Sequence, residues 1–428
     1  MVLFLESFVH RDRLAQIIKR WMINRPEPGD TRELKQIINF NTYMSRIWLD
    51  RVGRNILDRF HGAPVRWVPI REKGQLKDFV VDHLTYTNKR IEEICNHYRT
   101  YPEDYYRETP IDGGMYLLDI GTTERLIALS RLKRFRRVGE KGSRRIVDFI
   151  LSRIRANATA LAEERARLLG VRREQLLSSP DTMVSEFAHA ERRLIKSIKR
   201  GTIETDLPLL SIPDVAGLKV IIEEHEHNRL LDAIEATGTC VVMEAEHHSG
   251  VYSAINLKVA HKIPWDELFA RPPAGHALRL LKYRGFDPDT VEREYHDFLS
   301  TAEDTVYLEI IVSTFQNFVE SELGRSMHED RVLTQRAHRE YNGPVATNVR
   351  YLIDFILSLC RSPTMSEIRD VPIKLWVKYM PDYMEHLIRM QFRSQDVYLE
   401  MFAEDEDVYV SQSGATPQDT ETNRPGSS

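Results

Sequence analysis

Hydrophobic residues recur at three- and four-residue spacing from Arg11 to about residue 177, which is the pattern of amphipathic helices. The recurring apolar positions include Leu14, Ile17, Ile18, Trp21, Val147, Phe149, Ile150 and Ile154. Segments rich in turn-forming residues interrupt the pattern at 26–30, 64–69 and 100–114. We therefore predict an all-helical N-terminal domain over residues 1–178, divided into several helices.

The pattern changes after Pro208, where short β-branched and partly alternating segments follow one another. They predict strands at 214–222, 240–246, 251–261 and 306–314. Between the first two strands, Asn228 can begin a helix and Gly238 can end it. These elements predict a mixed β-sheet core at 179–330, so the whole chain belongs to the α+β class.

Helical spacing returns over residues 315–402, with breaks at Pro363 and Pro372. It predicts a helical C-terminal region at 331–402 beyond the central sheet. Residues 403–428 are acidic and rich in Ser, Thr, Gly and Pro. Such a composition buries too little apolar area to offset the entropy of ordering, so we predict a disordered tail.

The charge, cysteine content and hydrophobicity of the chain argue against several classes of protein. The chain has 428 residues, 60 basic against 64 acidic side chains and a formal net charge of −4, so it is not a polycation built to coat nucleic acid. Its three cysteines show no zinc-site spacing. No apolar run approaches the length of a membrane helix, and no secretory signal is recognisable. We expect a cytoplasmic protein without a membrane partner.

The predicted strand at 306–314 carries a carboxylate in an apolar setting. Alternation places Glu309 among hydrophobic neighbours, where a charge is costly unless it is paired, faces a cleft or binds a metal. In the strand at 251–261, Tyr252, Asn256 and Lys258 share one face. If Glu309 lies on that face, the sheet offers a ring for a base, a carboxylate for a divalent cation and an ammonium for phosphate. The alternative is an ordinary solvated sheet face.

Other polar residues allow two interpretations each. Asp214 precedes a predicted strand and is either a site residue or a turn residue. Arg193, Lys196 and Arg200 form a basic stripe on a predicted helix, which suits a triphosphate or is simply solvated. The basic segment 130–145 contains an aromatic residue and suits RNA binding, or is an exposed helix end.

Two motifs in residues 180–326 resemble the synthetase domain of the RelA/SpoT-type family, whose members transfer pyrophosphate from ATP to GDP or GTP. IPDVAGLKVII contains Asp214 and Gly217, and Lys219 stands at the family's arginine position; VYLEIIVST retains Glu309 of the family's second acidic strand. The resemblance implies a nucleotidyltransferase-like core in which Asp214 and Glu309 bind Mg²⁺ and Glu309 is catalytic. It further implies that Arg193, Lys196, Lys219 and Tyr252 bind nucleotide. Lys258, on the strand face described above, completes the predicted nucleotide-binding set.

The chain departs from the family at Ser253 and Asn256, in place of Arg and His, and at Ile311 and Ser313, in place of Gln and Arg. Two functions therefore stay open. One is Mg²⁺-dependent pyrophosphoryl transfer from ATP to a guanine nucleotide, as in guanosine tetraphosphate synthesis and the stringent response, or to an RNA 3′ end such as that of tRNA. The other is a catalytically weak or inactive regulator that binds nucleotide or RNA.

Overall fold

The computed structural model describes residues 2–172, 180–200, 209–248, 253–266, 275, 279, 282–283, 287–323, 344–362 and 366–377. The described residues up to Trp376 belong to one compact unit. The predicted disordered tail at 403–428 lies outside the described residues, as does most of the predicted helical region at 331–402.

Strands and helices are interspersed along the described chain. The strands are β1 (Val2–Leu5), β2 (Arg66–Glu72), β3 (Pro110–Ile120), β4 (Thr123–Leu132), β5 (Leu209–Ile212), β6 (Ala216–Ile221), β7 (Cys240–His248), β8 (Ala254–Lys262) and β9 (Thr305–Ser313). The helices are α1 (Arg11–Met22), α2 (Asp30–His61), α3 (Lys73–Asp82), α4 (Lys89–Thr100), α5 (Phe135–Leu168), α6 (Pro180–Arg200), α7 (His227–Glu235), α8 (Pro288–Ser300), α9 (Phe315–Leu323) and α10 (Pro344–Arg361). Within these residues, none of the helices has both the length and the apolar character that crossing a membrane requires.

Seven strands form one mixed sheet in the order β2-β3-β4-β6-β9-β8-β7. The central neighbours β6 and β9 are parallel, whereas the other adjacent pairs are antiparallel. β1 and β5 form a separate parallel pair. The α+β class with a mixed sheet is confirmed, and the four strands predicted after Pro208 correspond to β6, β7, β8 and β9.

Helices cover both faces of the sheet. On one face, the buried side chains of β6, β8 and β9 form a core with residues of α2, α7 and α8, including Trp48, Leu230 and Leu299. On the other, called here the α9 face, residues of β3 and β4 pack with α3, α4 and α9. Alternation in β9 places Leu308 and Ile310 in the first core, and so leaves Glu309 on the α9 face.

The prediction of an all-helical N-terminal domain is wrong. Helices α1 to α5 occupy much of residues 1–178, but β2, β3 and β4 also lie there and supply three strands of the sheet. β4 pairs with β6 through residues Ala128–Leu132, so the sheet crosses the domain boundary predicted at 178/179. The N-terminal third of the chain is thus part of the same layer as the central motifs.

An ion-pair network fixes α9 to the sheet. Glu322 of α9 contacts Arg131 of β4 at 2.6 Å and Lys219 of β6 at 3.4 Å, and Lys219 also donates to Ser321. Burial by itself would raise the pKa of Glu322, but the two cations outweigh it and lower that pKa to about 2. Burial also lowers the pKa of Lys219, because Glu322 only partly offsets the loss of water.

We expect Glu322→Gln to destabilise the protein by about 3 kcal/mol, since it leaves the buried Lys219 and the half-buried Arg131 without their carboxylate. The loss is present above pH 4.5, the ordinary pKa of the group, and disappears as the pH falls toward 2, because protonation of Glu322 then abolishes the same interaction. Chemical denaturation at several pH values measures it. Glu320→Gln, on the same helix, keeps the acceptor for Gln316 and is the control; an equal effect of both substitutions would contradict the network's role.

Candidate functional site

A row of paired residues crosses the centre of the sheet on the α9 face. Lys258 of β8 pairs with Glu309 of β9, Glu309 with Gly217 of β6, and Gly217 with Arg131 of β4. Directly paired residues point to the same face, so Lys258, Glu309 and Arg131 share it. Among the described atoms, a Cβ added at Gly217 would meet only the carbonyl oxygen of Glu309, at 3.7 Å. The row is therefore open between its carboxylate and its guanidinium group.

Asp214 lies in the turn that leads into β6, and two lysines bind it. The ammonium groups of Lys133 and Lys141 both contact Oδ2 of Asp214. The backbone N–H of Lys133 donates to the carbonyl of Val215 at 2.7 Å, which brings the end of β4 beside the turn. Burial would raise the pKa of Asp214, but the two lysines outweigh it and hold this pKa below its ordinary value.

Glu309 has the opposite electrostatic environment. Burial raises the pKa of its carboxyl group, and the charge of Asp214 raises it further; Lys133, Lys141 and His248 only partly compensate. Asn256 donates a hydrogen bond to Oε1 of Glu309 at 3.3 Å. The two acids are thus close enough to interact, yet one is held ionised while the other is biased toward its protonated form.

Ser7 fixes the turn of Asp214 relative to β9. Its fully buried hydroxyl lies 3.0 Å from the carbonyl oxygen of Pro213 and 2.8 Å from that of Tyr307, and it accepts from the N–H of Ala216 at 3.3 Å. These contacts involve the residue before Asp214 and a β9 residue two positions before Glu309. One side chain from the N-terminal segment therefore connects the backbone around both acids.

Lys258 is neutralised by the same N-terminal segment. Its ammonium group contacts Oε2 of Glu6 at 2.6 Å and lies 5.0 Å from the centre of the Tyr307 ring. Glu6 also accepts from Ser211 and, through its backbone carbonyl, from the N–H of Tyr307 at 3.1 Å. Lys258 thus lies in the row of paired residues, but it has a structural counter-ion.

The structure brings together some of the predicted site residues. Asp214, Glu309 and Lys258 share one region, whereas Lys219 is buried in the network with Glu322. Arg193 and Lys196 are exposed on α6, a helix that packs against α5. Tyr252 lies outside the described residues. Nucleotide binding by these residues stays a prediction.

Three contributors to the site were not predicted as site residues: Lys133, Lys141 and Ser7. The two lysines belong to the basic segment 130–145, so their charge was a visible signal, although its target was not. For Ser7, the only hint was the neighbouring Glu6, which interrupts an apolar start.

The chain matches no family model, no curated protein and no solved structure. What the site can do must therefore be inferred from its own side chains. It combines an ionised carboxylate with two bound ammonium groups and a second carboxyl group whose pKa is raised. Such a set can exchange a proton and can bind a phosphate group or a cation.

We expect Glu309→Gln to stabilise the protein by about 1 kcal/mol at about pH 8, because it removes a buried charge that Asp214 repels. Stability linked to Glu309 is fully present below its ordinary pKa of 4.5 and is lost as the pH rises through the raised pKa of the folded state. The gain should therefore vanish at about pH 4. Differential scanning calorimetry across this range measures it. Asp214→Asn should instead destabilise the protein, since Lys133 and Lys141 lose their counter-ion; the same sign for both substitutions would contradict this assignment.

We expect Ser7→Ala to lower the free energy of unfolding by about 2 kcal/mol, because it leaves the N–H of Ala216 and the carbonyl groups of Pro213 and Tyr307 without this partner. Urea denaturation measures the change. Ser152→Ala removes a hydroxyl from an exposed position of α5, where Ser152 donates to the carbonyl of Phe149 at 2.7 Å, and is the matched control. If the two substitutions have equal effects, Ser7 does not fix the turn.

Proposed function

We propose that this protein is a RelA/SpoT-like nucleotidyltransferase that transfers pyrophosphate from ATP to a guanine nucleotide or to an RNA 3′ end. The observation that carries the proposal is the electrostatic interaction of Asp214 with Glu309, the two acids that the family resemblance singles out. They come from chain positions beside the parallel central strands β6 and β9, and Asp214 perturbs the pKa of Glu309. Acids that perturb each other's pKa are more typical of a reaction site than of a solvated surface.

Glu309 is the proposed general base. A carboxyl group with a raised pKa accepts a proton more readily near neutral pH than an ordinary glutamate does. In the proposed step, the acceptor hydroxyl oxygen bonds to the β-phosphorus of ATP as the bond from that phosphorus to the α–β bridging oxygen breaks. The hydroxyl proton passes to Glu309, and AMP leaves. Asn256 orients the carboxylate through its hydrogen bond to Oε1.

The donor set fits Mg²⁺. Oδ1 of Asp214 is buried and has no hydrogen-bond partner among the described residues, so an oxygen ligand is available on the acid that interacts electrostatically with Glu309. No group of three or more His, Cys, Asp or Glu side chains suited to a metal occurs in the described residues. Mg²⁺ at nucleotide sites typically takes one or two carboxylates and completes its shell with phosphates and water. Asp214 and Glu309 would hold the ion, which supplies charge neutralisation of the phosphates when bound.

A regulator that binds nucleotide or RNA without turnover is the second candidate. The observation that favours it is the pairing of Asp214 with two lysines, since a neutralised carboxylate is a weaker ligand for a divalent cation. Asn256, which stands at the family's histidine position, also forms part of the site through its contact with Glu309. Both candidates require the same site to accept a phosphate-bearing ligand, and they differ in whether pyrophosphate is transferred.

Incubation with γ-labelled ATP and Mg²⁺, together with GDP, GTP or bulk tRNA, tests the proposal. We expect label on one of these acceptors with the wild-type protein. Glu309→Gln should lower the rate about 100-fold or more, because it removes the general base while keeping the shape of the side chain. Glu320→Gln is the control for a carboxylate outside the site. Transfer that persists in Glu309→Gln would overturn the role of Glu309, and nucleotide binding without transfer to any acceptor would favour the regulator.

A further inference from the structure

Two ammonium groups converge on a single carboxylate oxygen. Lys133, just beyond the end of β4, and Lys141, in the second turn of α5, both contact Oδ2 of Asp214, while Oδ1 is buried without a partner among the described residues. The lysines contact Asp214 directly, while Glu309 receives only a more distant attraction from them. Two ammonium groups on one carboxylate oxygen repel each other and are partly removed from water, which makes both of them suited to an additional anion.

The two lysines are placed where a ligand can reach them. The side chain of Lys141 is 45% exposed and that of Lys133 is 26% exposed, whereas Asp214 is only 10% exposed. The ammonium groups therefore form the outer layer of the cluster and the carboxylate the inner layer. An incoming anion meets the cations before it meets Asp214.

The surroundings favour negative charge. α5 begins at Phe135 and has no acidic residue in its first turn, so its N-terminal dipole adds a partial positive charge near Lys133. Gly217 leaves the sheet face open next to Glu309. Arg137, also in the first turn of α5, is directed to Glu140 at 2.6 Å and does not share the carboxylate of Asp214. Lys133 and Lys141 are thus the cations beside Asp214 that an anion can reach.

We propose that Lys133 and Lys141 bind the polyphosphate chain of the nucleoside triphosphate, with Asp214 holding them in place until the phosphate oxygens replace it. The inference rests on the proposed function, because it takes its substrate class from there. It assigns the phosphate-binding cations to β4 and α5, whereas the family resemblance pointed to the α6 stripe of Arg193 and Lys196. Transfer of the lysines to phosphate releases Asp214 as an oxygen ligand, so polyphosphate and a divalent cation should bind with positive coupling.

Calorimetric titration of the full chain with inorganic tripolyphosphate tests this assignment without any chemical step. We expect Lys141→Gln to weaken binding about 10-fold or more, as the loss of a charge-assisted contact does. Lys141 is the variant of choice because its half-exposed side chain is the less costly one to replace. Lys89→Gln, at an exposed position of α4, is the neutral control, and Lys196→Gln represents the competing α6 assignment.

A second titration uses Mn²⁺ alone, followed by electron paramagnetic resonance. Lys141→Gln should bind Mn²⁺ about 10-fold more tightly than the wild type, because Asp214 loses one of its competing cations. Weaker anion binding together with stronger cation binding is a pair of opposite changes that a merely structural role of Lys141 does not produce. Thermal denaturation of each variant confirms that it is folded.

The outcomes separate this assignment from the proposed function. Tripolyphosphate binding that is unchanged in Lys141→Gln, or is weakened only in Lys196→Gln, overturns the assignment even if the wild type transfers pyrophosphate. Binding that depends on Lys141 without label on any acceptor supports the assignment and overturns the transferase proposal. A wild-type protein that binds no tripolyphosphate overturns the assignment.

Discussion

The parallel pairing of β6 with β9 is the constraint on which the rest of the structure depends. Parallel neighbours cannot be joined by a tight turn, so the chain needs a long crossover between Ile221 and Thr305. That crossover includes α7, β7, β8 and α8, which extend the sheet and cover one of its faces. The same pairing sets Glu309 beside Gly217, three residues after Asp214. The strand pairing that defines the sheet therefore also places the candidate site residues next to one another.

The two acids show how environment can separate like groups. Both are largely removed from water, which alone raises the pKa of either. The direct contacts of Lys133 and Lys141 reverse that effect for Asp214, whereas Glu309 receives only their more distant attraction and feels Asp214 as well. Ser7 keeps this arrangement from relaxing, because it hydrogen bonds to backbone on either side of the turn and on β9. The hydroxyl group of Ser7 therefore helps to maintain the opposite pKa shifts of Asp214 and Glu309.

The sequence pattern predicted β9 correctly, because the alternation of its side chains matches their burial. Glu309 was identified as a candidate from that alternation alone. The pattern failed for β3 and β4, whose continuous apolar runs do not distinguish a buried strand from a helix. Gly113, where a Cβ would lie 1.9 Å from the carbonyl oxygen of Ser130, falls in the segment 100–114 that the sequence pattern assigned to a helix break, and Gly121, with a φ of 64°, forms the turn of the hairpin. The partners of Asp214 were beyond reach, because Lys133 and Lys141 lie 81 and 73 residues away in the chain.

The balance of positive and negative side chains in the site relates directly to the proposed transfer reaction. Asp214 and Glu309 oppose Lys133 and Lys141, while Lys258 is neutralised separately by Glu6. In the resting site, the two lysines lower the pKa of Glu309. When phosphate oxygens bind these lysines, the added negative charge offsets that effect. The pKa of Glu309 then rises, and the carboxylate accepts a proton more readily. The same exchange exposes Asp214 to a cation. Arrival of the anionic substrate would therefore prepare both acids at once, one to accept a proton and one to bind a metal ion.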